Sequence, residues 1–287
     1  MPEYPEVTTV TNTLNKIIPG SKVITVEVLK DKLIKNTTVE HFKEIFEDTT
    51  ITKIENIGKY IVFYLDTEIR VISHLRMSGK YFIYNYAQVK ERRKNPLLHD
   101  YVFWYLNNDK VMIYNDARMF GAFDIIEKDD TRDLYTIKNL AHLPGEVDVD
   151  ALYAKTQKKR VSIKKILLDQ SLVLGIGNIY ADETLHLAKI YPMTKCNLIS
   201  KEQLKELLNI AQKIMDKSIE LGGSSVQTYT SVNGVVGSYQ HYLNVYNRQG
   251  KTCRTCKRAE IVKVRLDNAP NGRGTSYCPN CQREVNE

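Results

Sequence analysis

Four cysteines near the C-terminus constrain this chain more than any other feature. Cys253 and Cys256 form one C-x-x-C unit, and Cys278 and Cys281 form a second. Two such units within 30 residues read as one tetrahedral, structural zinc site holding a small ribbon. A redox dithiol would be a single C-x-x-C beside a βαβ pattern, which is absent. Cys196 stands alone and reads as a small apolar filler. A ribbon of this size leaves most of the 287 residues to be folded by other means. That length suggests about two further domains. Charged residues make up 26% of the chain and hydrophobic ones 43%, which excludes a disordered chain, a collagen or a coiled-coil rod.

The hydrophobic period changes along the chain. Residues 3–18 place Val7, Val10, Leu14, Ile17 and Ile18 on one helical face, and Pro19-Gly20 ends the pattern. Alternating β-like runs follow at 22–29, 59–65, 69–74, 80–84, 101–106, 111–114 and 122–126, with Asn107-Asn108-Asp109 as a hairpin signal. Many short strands without intervening helices predict an antiparallel sandwich or barrel. Residues 88–96 are polar and charged and read as a loop. From about residue 150 the pattern is helical, over 161–169, 178–188 and from a capping box at Ser200/Gln203 to Gly222-Gly223. Residues 223–240 carry no charge and much Ser, Thr and Gly, and read as a mobile loop. The expected domains are a sandwich over 1–135, a helical domain over 150–222, a recognition loop over 223–245 and the ribbon over 246–287.

Charge is unevenly spread. Residues 1–150 carry a net −3 and residues 151–287 a net +10, which points to a polyanionic partner such as nucleic acid. No apolar run approaches the ~20 residues needed to cross a bilayer, and no signal-peptide pattern follows Met1. The expectation is a cytoplasmic protein.

The N-terminus reads Met1-Pro2-Glu3-Tyr4-Pro5-Glu6-Val7. Removal of Met1 leaves Pro2 as a secondary amine. An α-amino group has a pKa of about 8, so it is partly unprotonated at neutral pH and can attack a carbonyl-like carbon. Glu3 beside it can shuttle protons. Taken alone, the heptapeptide reads equally as an ordinary helix start, with Pro and Glu in the first turn. Residues 174–183 add a Gly-x-Gly turn opening a helix, whose N–H groups and Asn178 can grip a phosphate. The motif is weak by itself, because no strand precedes it. Between the cysteine pairs, Arg273 sits between two glycines, a placement suited to a phosphate.

Together these residues are similar to the bacterial formamidopyrimidine-DNA glycosylases, the family that also contains endonuclease VIII. The resemblance covers nearly the whole chain. It rests on Pro2-Glu3-x-Pro5-Glu6-Val7, Gly58-Lys59-Tyr60, His74-Leu75-x-Met77-Ser78-Gly79, Asp116-x-Arg118-x-Phe120-Gly121, the 175–183 stretch and the terminal cysteines. It implies a multidomain α+β fold: an N-terminal β-sandwich with an attached helix, a helix–two-turn–helix domain and a zinc ribbon. It implies a bifunctional DNA glycosylase and AP lyase that removes oxidised purines, 8-oxoguanine and formamidopyrimidines, from duplex DNA by β,δ-elimination.

By the same resemblance Pro2 is the Schiff-base nucleophile, Glu3 the acid/base on the sugar, and Lys59 either the proton donor in β-elimination or the holder of the phosphate beside the lesion. Arg273 grips a flanking phosphate from the tip of the ribbon. His74, His99, Lys159 and Asn178 match DNA-contacting positions. Met77, Arg118 and Phe120 match the residues that fill the hole left by an everted base. The implied cofactor is one structural Zn2+, and the implied assembly is a nucleoid-associated monomer on lesion-bearing DNA. Tyr4 and the intact Met77/Arg118/Phe120 set favour the purine branch over the endonuclease VIII branch. Pro2, Glu3 and Lys59 argue against a non-catalytic DNA-binding zinc protein, since binding alone needs no amine nucleophile. Two features depart from the family pattern. The gap between the inner cysteines is 21 residues, with 265–268 as the insert, and Ala117 stands where proline is common.

Overall fold

In the computed structural model, residues 2–95, 98–225 and 231–283 are described. They form two compact units, one of Met1–Asp133 with Leu221–Ser238, the other of Leu134–Glu220 with Tyr239–Glu287. Residues 223–245, a single loop by sequence, therefore divide between the units. Residues 226–230 of that loop lie outside the described residues.

The first unit contains helix α1 (Tyr4–Asn15), strand β1 (Ser21–Val28), helix α2 (Val39–Glu44), strands β2 (Thr50–Ile57), β3 (Tyr60–Leu65), β4 (Arg70–His74) and β5 (Lys80–Asn85), helix α3 (Tyr86–Arg92), and strands β6 (Asp100–Leu106), β7 (Lys110–Asn115) and β8 (Ala122–Ile126). The strands are antiparallel and run in the order β5-β7-β6-β1-β2-β3-β4-β8. β1 serves both halves. Ser21 and Lys22 pair with β2, and from Val23 onward the strand pairs with β6, with a register break between Val23 and Thr25. Such an irregularity bends a strand from one layer into the next.

The two halves face each other across an aromatic core. Tyr114 and Trp104 meet Phe123 at 4.9 and 5.6 Å between ring centroids, and Tyr81 meets Phe63 at 5.9 Å. The buried Tyr81 hydroxyl donates to Ser73 Oγ at 2.7 Å, so the only polar atom of that ring is satisfied. α1 covers the core with Val7, Val10 and Leu14. This is the β-sandwich with attached helix expected from the sequence.

Residues 88–96 are not wholly a loop. Asn85 and Gln88 form a reciprocal capping box, with bonds of 2.8 and 2.9 Å, that starts α3. Val89 then packs against Phe103, Val111 and Ile113, and Arg92 makes a bidentate bond to Asp100. The high charge of the segment hides its single buried residue.

The second unit contains α4 (Leu134–Lys138), α5 (Val149–Gln157), α6 (Ile163–Leu168), α7 (Asn178–Leu187), α8 (Lys201–Glu220) and the hairpin β9 (Val262–Arg265) and β10 (Gly274–Tyr277). Ser200 and Gln203 cap α8 reciprocally, at 2.9 and 3.2 Å, as their spacing predicts. Two buried carboxylates on α7 hold this unit together. Asp182 pairs with the fully buried Lys164 of α6 at 2.6 Å and accepts from the Ser276 N–H of β10. Burial pushes the Asp182 carboxyl upward, against the pull of Lys164 and that N–H. Glu183 accepts four bonds, from the backbone N–H groups of Asn244, Val245 and Tyr246 and from Asn244 Nδ2. Removing a carboxylate that satisfies several buried N–H groups leaves all of them unpaired. Glu183→Ala is therefore expected to lower the stability of this unit by about 3 kcal/mol, read as faster hydrogen exchange of the α7 amides. A change within about 0.5 kcal/mol would contradict that role.

Candidate functional site

Pro2 and Glu3 are both buried at the entrance of α1. Glu3 is the N-cap and Pro5 lies in the first turn, where its missing N–H costs nothing. Glu6, 1% exposed, holds this start in place. Its Oε2 accepts from the Glu3 N–H at 2.9 Å and its Oε1 from the Ser224 N–H at 2.8 Å. Gly223, at φ +81°, passes so close that a Cβ there would lie 3.3 Å from Glu6 Cγ. Lys59, also buried, follows Gly58 (φ +57°) in the two-residue turn between β2 and β3. Asn56 Nδ2 donates both to Gly58 O and to Thr8 Oγ1 on α1, at 3.2 and 2.9 Å. The turn bearing Lys59 is thus tied to the helix opened by Pro2 and Glu3.

His74 ends β4, with its ring against the edge of Tyr60 at 4.8 Å. Its Nδ1 accepts from the Arg76 N–H at 3.0 Å, so the neutral ring carries its proton on Nε2, where it can donate.

Two loops lie beyond β4 and β7, at 74–79 and 116–121. Asp116, fully buried, joins them. Its Oδ1 accepts from Ser78 Oγ and from the Arg118 N–H at 3.2 Å. Its Oδ2 accepts from the Gly121 N–H at 2.7 Å and, more weakly, from Tyr114 Oη at 3.5 Å. The Asp116 N–H donates to His99 O at 3.0 Å, which brings another predicted contact residue to the same aspartate. Burial, and then the Asp116 charge, push the Tyr114 hydroxyl well above its ordinary pKa, so it remains a donor. Arg76, His99 and Met119 all have left-handed backbone, at φ +51°, +59° and +51°. Such conformations in non-glycine residues persist where surrounding bonds fix them. Phe120 is 54% exposed, with the Arg118 guanidinium 4.8 Å from its ring centre, and Met77 is half-buried. An exposed Phe under an Arg is not core packing; it is a surface available to stack.

In the second unit, Asn178 begins α7 and donates from Nδ2 to Gly274 O at 2.9 Å, which places it beside Arg273. Lys159 lies exposed after α5, where its carbonyl accepts from the buried Cys196 Sγ. Arg273 is exposed but does not occupy the apex of the hairpin. Its carbonyl accepts from the Leu266 N–H at 2.9 Å, next to β10, and the apex is formed by residues 267–272. A Cβ on Gly272 would lie 2.4 Å from Leu266 O, so this loop folds tightly on itself. Asp267 also pairs with Lys165 of α6 at 2.5 Å. Arg273 is displaced from the tip because the 21-residue gap between the inner cysteines supplies residues enough for the loop to pack on itself.

The sulfur atoms of Cys253, Cys256, Cys278 and Cys281 all lie within 4.8 Å of one another, and two pairs are 3.9 and 3.7 Å apart. Thiolates 2.3 Å from a central tetrahedral zinc would be separated by about 3.8 Å. The four residues therefore fit such an ion. Backbone N–H groups of Arg258 and Ala259 hold the Cys256 thiol down at about 6, towards the form that binds metal.

Sequence reasoning singled out Met77, Arg118 and Phe120 but gave Asp116 and Ser78 no part. The available signal was the glycine closing each motif. A Cβ on Gly79 or Gly121 would lie 2.4 or 1.7 Å from Tyr114 Oη, so both loops require close approach. The capping-box spacing of Glu3 and Glu6 likewise marked Glu6.

Comparison with known proteins agrees in both halves of the chain. Residues 1–123 match the family model of the formamidopyrimidine-DNA glycosylase N-terminal domain, and residues 141–230 match that of its H2TH domain. The chain is 40% identical over 284 residues to the formamidopyrimidine-DNA glycosylase of Mycoplasmopsis pulmonis, covering 99% of each chain. It is 37% identical over 285 residues to that of Streptococcus pneumoniae, again covering 99% of each. Its fold is similar to Lactococcus lactis Fpg in complex with DNA containing an abasic site, with a TM-score of 0.89, 36% identity, and 99% and 100% of the two chains covered. It is also similar to MutM in complex with DNA containing carbocyclic 8-oxo-G, with a TM-score of 0.88, 35% identity and the same coverage.

The packing around Tyr114 is directly testable. Gly121→Ala should cost about 2 kcal/mol by overpacking, measured through the fluorescence of Trp104, the sole tryptophan and a buried member of this unit. In a Tyr114→Phe background, which removes the obstructing oxygen, at least half of that loss should vanish. Equal losses in both backgrounds would contradict the contact.

Proposed function

Because the chain belongs to the formamidopyrimidine-DNA glycosylase family, we propose that this enzyme removes oxidised purines from duplex DNA and then cuts the strand, with Pro2 as nucleophile. The observation that carries the reading is the fixed start of α1, where Glu6 holds the backbone beside Pro2 and Glu3. The Lys59 turn is tied to the same helix through Asn56.

The Pro2 nitrogen, freed of Met1, attacks C1′ of the damaged nucleotide. The glycosidic bond breaks and the base departs with its electron pair and a proton. Glu3 donates a proton to the sugar ring oxygen as the ring opens, which leaves an iminium between Pro2 and C1′. The iminium acidifies the C2′ proton. Its loss expels the 3′ phosphate, and a second elimination expels the 5′ phosphate, leaving a one-nucleotide gap. Lys59 supplies a proton or a phosphate contact during these steps. Eversion of the base costs a few kcal/mol. Met77 and Phe120 replace the lost stacking, while Arg118 bonds the cytosine left unpaired. His74, His99, Lys159, Asn178 and Arg273 hold phosphates, with Arg273 acting from the side of the ribbon hairpin. Cys253, Cys256, Cys278 and Cys281 would hold a structural zinc, which would supply folding energy to that hairpin rather than take part in the chemistry. The protein acts as a monomer in the cytoplasm, on the nucleoid.

Single-turnover assays on a duplex containing 8-oxoguanine opposite cytosine test the reading. Excision with a borohydride-trapped complex is expected. Preference for an oxidised pyrimidine, or binding without excision, would overturn it. Protein retaining Met1 should trap nothing while still binding DNA, because an amide nitrogen cannot attack. Glu3→Gln should lose base excision yet still cleave a pre-formed abasic site, whose sugar opens without enzyme-assisted base loss. Chelation of zinc should abolish DNA binding while leaving the Trp104 fluorescence of the sandwich unchanged.

A further inference from the structure

Met77, Arg118 and Phe120 belong to two loops separated by about 40 positions in sequence, and each loop is short. Neither has a hydrophobic core of its own. Their mutual placement depends on Asp116, which is fully buried and receives donors from both loops. Ser78, the neighbour of Met77, donates its hydroxyl to Asp116 Oδ1 and accepts from the Arg118 N–H at 3.1 Å. The N–H groups of Arg118 and Gly121, on either side of Phe120, point to the two oxygens of the same carboxylate. The Met119 N–H returns to the Asp116 carbonyl at 3.0 Å, which holds Met119 in its left-handed turn.

We propose that Asp116 is the positioning residue of the base-replacing wedge: through Ser78 and the N–H groups of Arg118 and Gly121 it sets Met77, Arg118 and Phe120 as one pre-ordered unit before DNA is bound. This rests on the reading of those three residues given under Proposed function. Pre-ordering matters because the wedge must offset the unstacking of a base pair. Loops that had to be ordered during that step would forfeit part of the gain. An abasic site has no base to evert, so its cleavage depends far less on the wedge.

Asparagine at position 116 has the same shape but offers one acceptor and one donor group. With its oxygen toward Ser78, its amide faces the Gly121 N–H. With its oxygen toward Gly121, its amide faces the Arg118 N–H. Either orientation opposes two donors and releases one side of Phe120.

The test measures Asp116→Asn, Phe120→Ala and their combination. Three readouts are used: single-turnover excision of 8-oxoguanine, fluorescence of a 2-aminopurine next to the lesion as a report of eversion, and borohydride trapping on a pre-formed abasic duplex. Asp116→Asn should lower excision and the eversion signal about tenfold while trapping changes by less than about threefold. The double variant should be no worse than Phe120→Ala alone, because both substitutions disable one device. Ser78→Ala, which removes a single hydroxyl and leaves the Asp116 charge and packing intact, should show the same pattern more weakly. The proposal is overturned if Asp116→Asn excises at the unsubstituted rate, if excision and trapping fall in equal proportion in both Asp116→Asn and Ser78→Ala, or if the Asp116→Asn loss adds in full to that of Phe120→Ala. Failure of the unsubstituted protein to trap would instead overturn the glycosylase reading itself.

Discussion

A single buried carboxylate, that of Glu6, is the constraint on which the candidate chemistry depends. Chain termini are ordinarily among the least ordered parts of a protein. Here the first turn of α1 and the returning segment at Ser224 share that carboxylate, and Gly223 has no side chain because none would fit comfortably against Glu6. An N-terminal amine is a useful nucleophile because of its low pKa, but only if its position is fixed. The capping box meets that need with local bonds, and the buried face of α1 connects it to the sandwich core.

The same arrangement recurs elsewhere in the chain. Asp116 gathers two loops of the sandwich, and Glu183 gathers the segment from Asn244 to Tyr246 onto α7. Each is a buried acid satisfied chiefly by N–H and O–H donors. Donors of that kind stabilise the charged form without requiring a long, flexible cation. Asp182 is the exception, with Lys164 buried against it. The sandwich supplies rigidity, and these carboxylates carry that rigidity into loops that have little apolar surface to bury.

Much of this was legible in the sequence where a short-range pattern carried it. Strands rich in Tyr, Val, Ile and Phe announced themselves by alternation, the cysteines by spacing, and α8 by its capping box. β2 escaped because a register shift between Ile51 and Lys53 breaks its alternation and leaves its buried residues, Ile51 and Ile54, three positions apart, and α3 because its charges outnumber its one buried residue, Val89. The role of Asp116 was not legible, since its partner Ser78 lies 38 positions away and only the fold brings the two together. The placement of Arg273 was misread for a related reason. The glycines on either side of Arg273 suggested a tip, whereas Leu266 is buried and Gly272 packs against its carbonyl.

The central claim is that one atom, the Pro2 nitrogen at the fixed start of α1, forms the covalent bond to DNA. Peptide mapping by tandem mass spectrometry of the borohydride-reduced complex tests it most directly. The account predicts a sugar remnant on Pro2, in a peptide that lacks Met1. A remnant on Lys59, or on any other lysine, would contradict it.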